Sequence, residues 1–478
     1  MACYAFVVET IKSINVTQAL ADAKELLRQD GAVSGKTRET IEILVQAVTL
    51  FSNRLGMNSK NSSTPPSKDA NKALKKRTQG QGEKRKPGGQ EGHKGTTLKK
   101  VENPDAIQEV QIDRRTIPAG YYKTIGYETR QVFDINISLF VTEYQAEILE
   151  AQDGSQYIAM FPEAVTQAAQ YGNSTKASSV YLSQHQLVPL ERVREFFEDQ
   201  AGIPISKGSI ANFNVEASER LDGFEIWAKE QLIEAPLNHA DETGINVGGK
   251  KIWLHSLSND KVTLFHPDEK RGKEAMDRMG VLPHFKGNLC HDHWKAYFRY
   301  PCTHTLCNAH HLRELEWSVE FEFQGWAEKM KNLLVEINGE KLKTGSVSET
   351  AQSLFEQRYR IILAEGKSEC PIPEKTKSKR GRVKKSKSRN LLERLENFEE
   401  ETLRFMRDPL VPFTNNQGER DLRMTKVQQK ISGCFRSIEG ARVFCRVRSY
   451  LSTCKKNGVN PTDALTMLFD GKIPTFIR

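Results

Sequence analysis

Hydrophobic and polar positions alternate with two different periods along the chain, and the switches between them divide it. Near the start, Ile41, Leu44, Val48, Phe51 and Leu55 recur at spacings of three and four. That spacing predicts a helix with one apolar stripe, either core-facing or a short coiled-coil seam. The period is lost in the polar stretch that follows. Residues 106–165 predict strands, because ISLFVTEYQAEIL mixes β-branched and aromatic residues and QDG offers a turn. Residues 175–235 return to helical spacing. There PLERVREFFEDQ, the break AGIPIS and KGSIANFNVEASERL read as a helix-turn-helix, a pattern shared by plain helical hairpins.

From residue 236 the period becomes two. LNHADETGINVGG, KKIWLHSLSN and KVTLFHP predict three consecutive strands joined at Gly or Asn-Asp turns. KRGKEAMDRMGVLPHF predicts a helix, GNLCHD a short strand, WKAYF a helix and THTLCNAHH a further strand. Residues 309–405 read as mostly helical. The end reads as two helices, the second stopping at Asn457-Gly458 shortly before Pro461. Three strands in a meander followed by helix, strand, helix and strand is the order of an RNase H-like fold.

The expected architecture is therefore α/β and multidomain. It has an N-terminal helical segment (1–60), a basic linker or DNA arm (61–105) and a small strand-rich segment (106–165). A helical, helix-turn-helix-like segment (166–235) and the first part of an RNase H-like core (236–320) follow. A helical insertion with a basic loop (321–404) separates that part from the rest of the core and the C-terminal helices (405–478).

Charge sharpens this picture. The 478 residues carry a formal net charge of +9, and the cations are clustered, which favours a polyanionic partner. One cluster, including Lys84, Arg85 and Lys86, lies in a Gly-, Pro- and Ser-rich stretch too polar to fold alone. A second holds nine Lys or Arg between Lys375 and Arg389, among them Arg380, Arg382, Lys384 and Lys385. Both suit phosphate contacts, and a solvated surface is the plainer alternative. No run of about 18 apolar residues predicts a membrane span, and no basic n-region precedes the apolar start. The eight cysteines include none between Cys3 and Cys290. They do not form a disulfide framework, so a reducing cytoplasm, with the protein on the nucleoid, is expected.

Three acids stand where such a core carries metal-binding carboxylates. Asp241 lies on the first strand, with His239 and Thr243 on its face and Glu242 on the other. Asp292 ends the strand GNLCHD. Glu419 opens the helix in TNNQGERDLR. Each also has a local explanation: a residue before a turn, an N-cap for WKAYF, and a capping-box partner at N3 with Asn416 as N-cap. Nine of the eleven histidines lie between His239 and His311, and a zinc hydrolase using that cluster is an alternative. Cys307-x-x-His310 forms a further motif beside it. Arg420, Arg423 and Lys426 recur beside Glu419, and Arg442, Arg446 and Arg448 follow on the next helix. These cations are placed to bind a DNA backbone.

Taken together, NSKNSSTPPS, KRKPGGQEGHKG, HADETGINVGGKKIWLH, HDHWKAYF, TLCNAHHLREL and TNNQGERDLRMTKVQQKISGCFR resemble the transposases of the insertion sequence 66 family, within the DDE superfamily. RSYLSTCKKNGVNPTDAL also looks like the family's C-terminal helix. The resemblance implies that Asp241, Asp292 and Glu419 are a catalytic triad binding Mg²⁺, with Mn²⁺ as a substitute. It implies an RNase H-like core interrupted by a helical insertion, for which the 126 residues between Asp292 and Glu419 leave room. It implies double-stranded DNA partners, both terminal inverted repeats and target, acted on by a homo-oligomer, with accessory proteins of the same element as further partners. Cys307 and His310 look like the Cys-x-x-His motif near the second Asp of several DDE families. Many relatives carry two Cys-x-x-Cys pairs in the segment matching 106–165. This chain has no cysteine there, so no zinc is expected in that segment. A catalytically silent DNA-binding descendant of a transposase is the other alternative.

Overall fold

The computed structural model describes residues 98–135, 137–372 and 385–477, together with helical positions at 37, 39–41, 43–45 and 48. The basic clusters around Lys84, Arg85 and Lys86 and around Arg380, Arg382 and Lys384 lie outside the described residues. The described chain forms two units, one of residues 98–161 with 196–204 and one of the remainder. No described helix is long and apolar enough to cross a membrane.

The smaller unit departs from the strand-rich expectation. Its strands are a three-residue hairpin, β1 (Ile148–Glu150) and β2 (Gln156–Ile158), paired antiparallel across the Asp153-Gly154 turn. The β-branched and aromatic residues that suggested more strands stand in solvent: Val110 is 87% and Phe140 88% exposed. Strand propensity without a surface to pack on does not make a sheet.

The larger unit is built on a five-stranded mixed sheet. β3 (Leu237–Val247), β4 (Lys250–Ser258) and β5 (Thr263–Asp268) form the antiparallel meander that the alternation predicted. The β3–β4 turn uses Gly248 and Gly249, both at positive φ, a conformation that side-chain-bearing residues resist. β6 (Asn288–His291) and β7 (Thr303–Leu306) then add in parallel on the other side of β3, giving the order β5-β4-β3-β6-β7. WKAYF makes only a short 3-10 turn at Tyr297–Arg299. THTLCNAHH is strand only as far as Leu306, and Asn308 already belongs to the next helix.

β6 meets β3 at Gly287. A Cβ there would lie 2.5 Å from the Ala235 carbonyl oxygen and 2.8 Å from that of Pro236. Both are backbone atoms that cannot step aside without breaking the pairing. Gly287→Ala is therefore expected to destabilise the protein by about 1–3 kcal/mol. Urea unfolding that leaves the midpoint unchanged would contradict this.

Before the sheet come α1 (Asn173–Val180, prolonged by a π-helical turn at Tyr181–His185), α2 (Leu190–Ala201), α3 (Lys207–Glu219) and α4 (Asp222–Glu234). The second helix of the expected helix-turn-helix, α3, buries Ile210, Phe213 and Ala217. Among the described residues of the N-terminal stripe, Leu44 and Val48 are exposed, at 57% and 42%, while Val45 beside them is buried; Phe51 and Leu55 lie outside the described residues.

α5 (Lys273–Met279) links β5 to β6. After β7 a helical body follows: α6 (Asn308–Glu322), α7 (Gly325–Thr344), α8 (Glu349–Glu369), α9 (Lys387–Asn397) and α10 (Glu399–Arg407). Trp326, Met330, Leu333, Leu334 and Ile337 make the buried stripe of α7, and Phe355, Tyr359, Ile362, Leu363 and Gly366 that of α8. Both follow the i, i+4, i+7, i+8, i+11 spacing of a core-facing helix. Together with Leu391, Leu392 and Leu395 they form one apolar core.

The chain then returns to the sheet through α11 (Asn416–Ser432) and α12 (Ile438–Lys456), followed by a third helix, α13 (Pro461–Phe469), that was not expected separately. Leu422, Ala441, Phe444 and Cys445 from α11 and α12 pack on Ile245, Ile252, Leu254 and Phe265 of the sheet. α12 also closes the sheet edge. Its Ser449 and Thr453 hydroxyls accept the N–H groups of Phe265 and Thr263, at 2.9 and 3.1 Å. An edge strand whose donors are answered in this way offers less to a foreign strand.

Candidate active site

The parallel pairing of β3 and β6 aligns Leu237 with Asn288 and His239 with Cys290. Continued by two residues, that register sets Asp241 beside Asp292. Asp241 lies in the middle of β3 and Asp292 directly follows the last residue of the parallel neighbour β6. The surroundings are dry, and Asp241 is held well above the usual carboxylate range by burial, then by the charges of Glu242 and Asp292. Asp292 is pushed up to about 7 by burial and by Glu242, against the opposing effects of the Trp294 N–H and the Arg271 charge. Glu419 adds repulsion to both. Buried like charges that raise one another's pKa mark a place where a cation would be welcome.

Asp292 accepts the Trp294 N–H at 3.1 Å but caps no helix, because the 3-10 turn that follows starts at Tyr297 with Ala296 as its N-cap. The capping box is absent too. α11 is capped by Asn415, Asn416 is its first residue, and the Asn415 side chain makes no cap bond. Glu419 therefore stands at N4, too far along to reach back. Its nearest cation is Arg313, at 3.9 Å.

Asn415, which the sequence reading passed over, ties this helix to the sheet. Its Oδ1 lies 2.7 Å from His239 Nδ1, and its Nδ2 donates to the Ala240 carbonyl at 2.8 Å. Two further anchors fix α11. Gln417 donates to the Asn259 carbonyl, and Asp421 pairs with Lys456 of α12 at 2.9 Å in a nearly buried setting. Only the structure could reveal these, since each joins residues more than thirty positions apart.

On the opposite strand face, Glu242 is buried and bonded to Arg271 at 2.6 Å and to the Tyr297 hydroxyl at 2.6 Å. The Arg271 guanidinium stacks between the Trp253 and Trp294 rings, 4.6 and 4.5 Å from their centroids. This stack braces the turn that carries Asp292.

The histidines do not gather into one site. His239 pairs with Asn415, His291 with His304 at 3.1 Å, His266 with Asp268 at 3.6 Å and His311 with Asn308 at 3.0 Å. Among the described residues, one group of three ligand-type side chains converges: Cys307, His310 and Glu419, whose donor atoms lie within 4.8 Å of one another. His310 is held down at about 4 by burial and by the charges of Arg313 and Arg394, so its ring is neutral at ordinary pH. A pocket of about 340 Å³ opens beside this group, lined by Asp292, Cys307, His310, Glu314 and Arg394 among others.

The expected cationic face is smaller than the sequence suggested. Arg420, Arg423 and Lys430 are exposed, and Lys426, also exposed, donates to the Gly244 carbonyl at 2.6 Å. Arg448 instead turns inward to the His185 carbonyl, and Arg446 pairs with Asp222 and Glu225. Lys385 is engaged by Glu393 at 2.5 Å.

A family model described as "Transposase IS66 family" matches residues 168–443. The match begins just before α1 and ends inside α12, so it takes in the whole sheet and all three acids. The chain belongs to the IS66 transposase family. A second model, of a family of unknown function, matches residues 12–99 of this transposase. No curated protein matches the chain.

Proposed function

We propose that this transposase is a DDE-type enzyme with an RNase H-like core, in which Asp241, Asp292 and Glu419 bind Mg²⁺ or Mn²⁺. The observation that carries the reading is the pairing of Asp241 and Asp292 on adjacent parallel strands, both with raised pKa. The donor set fits the ion: carboxylate oxygens are the ligands a hard divalent cation prefers, and a cation would offset the burial and mutual repulsion that raise the pKa of Asp241 and Asp292. Bound in pairs, such ions polarise a phosphodiester and neutralise charge on its attacking and leaving oxygens. Asp241 and Asp292 supply the rigid part of the site. Glu419, whose carboxylate converges with Cys307 and His310, would complete it by turning from α11, which Asn415, Gln417 and Asp421 hold against the sheet.

In this reading, water attacks a phosphorus at an element end and the P–O3′ bond breaks. The products are a free 3′-hydroxyl and a 5′-phosphate. The 3′-hydroxyl then attacks a phosphorus of target DNA, joining the element and releasing a target 3′-hydroxyl. Arg420 and Arg423, one and four positions after Glu419, are placed to hold the phosphate backbone next to the acids. The basic segments around Lys84–Lys86 and Arg380–Lys385 would add sequence-independent affinity. Terminal inverted repeats as substrate, a homo-oligomer on paired ends and accessory proteins of the element belong to the same proposal.

The test is cleavage of labelled element-end duplex by the purified full chain. Asp241→Asn, Asp292→Asn and Glu419→Gln are each expected to cost roughly 10³-fold or more in single-turnover rate, as for groups acting together on one transition state, with DNA affinity kept. Wild-type rates in all three would sink the assignment. Binding without metal-dependent cleavage in the parent protein would instead favour a silent DNA-binding descendant.

A further inference from the structure

Cys307 and His310 have no part in the carboxylate chemistry, yet both face Glu419. Cys307 is the N-cap of α6, and its sulfur takes no cap hydrogen bond from that helix. The Asn415 N–H, at the start of α11, donates to the same sulfur at 3.1 Å. Burial raises the pKa of this thiol, so it is a thiolate ligand only with a cation bound beside it, where the Asn415 N–H would support the charge. Nearby, His310 Nδ1 is buried and has no hydrogen-bond partner, an expensive condition for a polar atom that nothing uses. Glu419 closes the triangle, answered only loosely by Arg313 at 3.9 Å.

We propose that Cys307 Sγ, a His310 ring nitrogen and a Glu419 carboxylate oxygen form a site for a zinc-class transition-metal ion, distinct in chemistry from the all-oxygen site. Tetrahedral zinc with sulfur and nitrogen ligands separates its donors by about 3.6 Å. The three donors here lie within 4.8 Å, so side-chain adjustments of about an ångström bring them onto one ion. A Cys, His and carboxylate set selects zinc-like ions over Mg²⁺, which disfavours sulfur. Binding releases the Cys307 proton to solvent. Three protein ligands leave a fourth position open toward the pocket beside Asp292 and Glu314.

One consequence rests on the catalytic reading above. Glu419 cannot serve both sites fully, so zinc occupancy would withdraw the third acid from Asp241 and Asp292 and inhibit Mg²⁺-dependent cleavage.

The binding itself is tested without DNA or activity, by titrating Co²⁺ into the metal-free full chain. With the carboxylate site filled by excess Mg²⁺, the expected result is one Co²⁺ per chain with a thiolate-to-cobalt charge-transfer band. Added Zn²⁺ should abolish the band, and excess Mg²⁺ should not. Cys307→Ser should remove it, while His310→Ala and Glu419→Gln should each weaken Co²⁺ binding roughly tenfold or more. Absence of the band in the parent protein overturns the proposal, as does its survival in Cys307→Ser or its loss in a Cys302→Ser control. Should Cys307→Ser fail to fold, the other two variants decide, and unchanged Co²⁺ affinity in both overturns the site. Cobalt binding as expected, together with full cleavage by Glu419→Gln, would overturn the catalytic reading and leave this site standing.

Discussion

In metal-free buffer at pH 8, Asp292→Asn is expected to melt at a higher temperature than the parent protein, although it should be inactive. The carboxyl of Asp292 titrates near 7 in the folded chain, against an ordinary value of 3.8. Between those two values the folded state holds a proton that the unfolded state has lost. Stability from this group is thus complete below about pH 4 and falls as pH rises through about 7. Above that, the folded chain carries a buried carboxylate crowded by Glu242, Asp241 and Glu419. The amide keeps the shape and removes the charge, and a gain of about 1–3 kcal/mol at pH 8 follows, shrinking toward nothing at pH 4. For a protein of this size that is an upward shift of roughly 1–3 °C. Differential scanning calorimetry across pH checks it. A variant that melts lower than the parent at pH 8, or shows the same gain at pH 4, would remove the electrostatic account. Added Mg²⁺ should raise the melting temperature of the parent more than that of the variant, because only the parent has repulsion to relieve.

Asn415→Ala should be among the most damaging single changes outside the three acids. The side chain is buried and answers two groups of β3, His239 Nδ1 and the Ala240 carbonyl. Truncation leaves both without partners in a dry setting, at about 1–3 kcal/mol for each lost partner, so about 2–6 kcal/mol together. It also loosens the start of α11, where Glu419 sits four residues on. Small errors in the position of a reacting group cost much in rate, so cleavage should fall roughly 10²-fold or more while DNA affinity changes little. The comparison that matters is single-turnover rate against dissociation constant for the same duplex. A stable Asn415→Ala protein that cleaves at the parent rate would show that the bond between strand and helix does not position Glu419.

Much of the sheet was readable because alternation and turn residues agreed there. His239 to Val247 alternates, Gly248-Gly249 breaks it, and the next strand alternates again. The acids were visible for the same reason: alternation puts Asp241 on a defined face of β3, and Asp292 follows the short apolar run of β6. What could not be read is what depends on partners distant in sequence. The bond from Asn415 to His239 spans 176 positions. The approach of Cys307 and His310 to Glu419 depends on where the helical body returns the chain. Residues 106–165 misled in the opposite way, since Val110, Val132 and Phe140 have strand-forming side chains and yet stand exposed. The arginines of α12 show a third limit: their clustering suggested a DNA face, but Arg448 is consumed by carbonyls of the chain's own interior.

The late arrival of α11 has a consequence for synthesis. Asp241 and Asp292 are made early and can settle with the sheet, while Glu419 emerges only after the five helices of the intervening body. The strand edge at β5 stays uncovered until Ser449 and Thr453 follow. Since chains fold as they are made, from the N-terminal end, a ribosome-bound or prematurely stopped product lacks the third acid. On the proposed catalytic reading such a fragment would not cut DNA, and the order of elements would delay cleavage until translation is nearly complete.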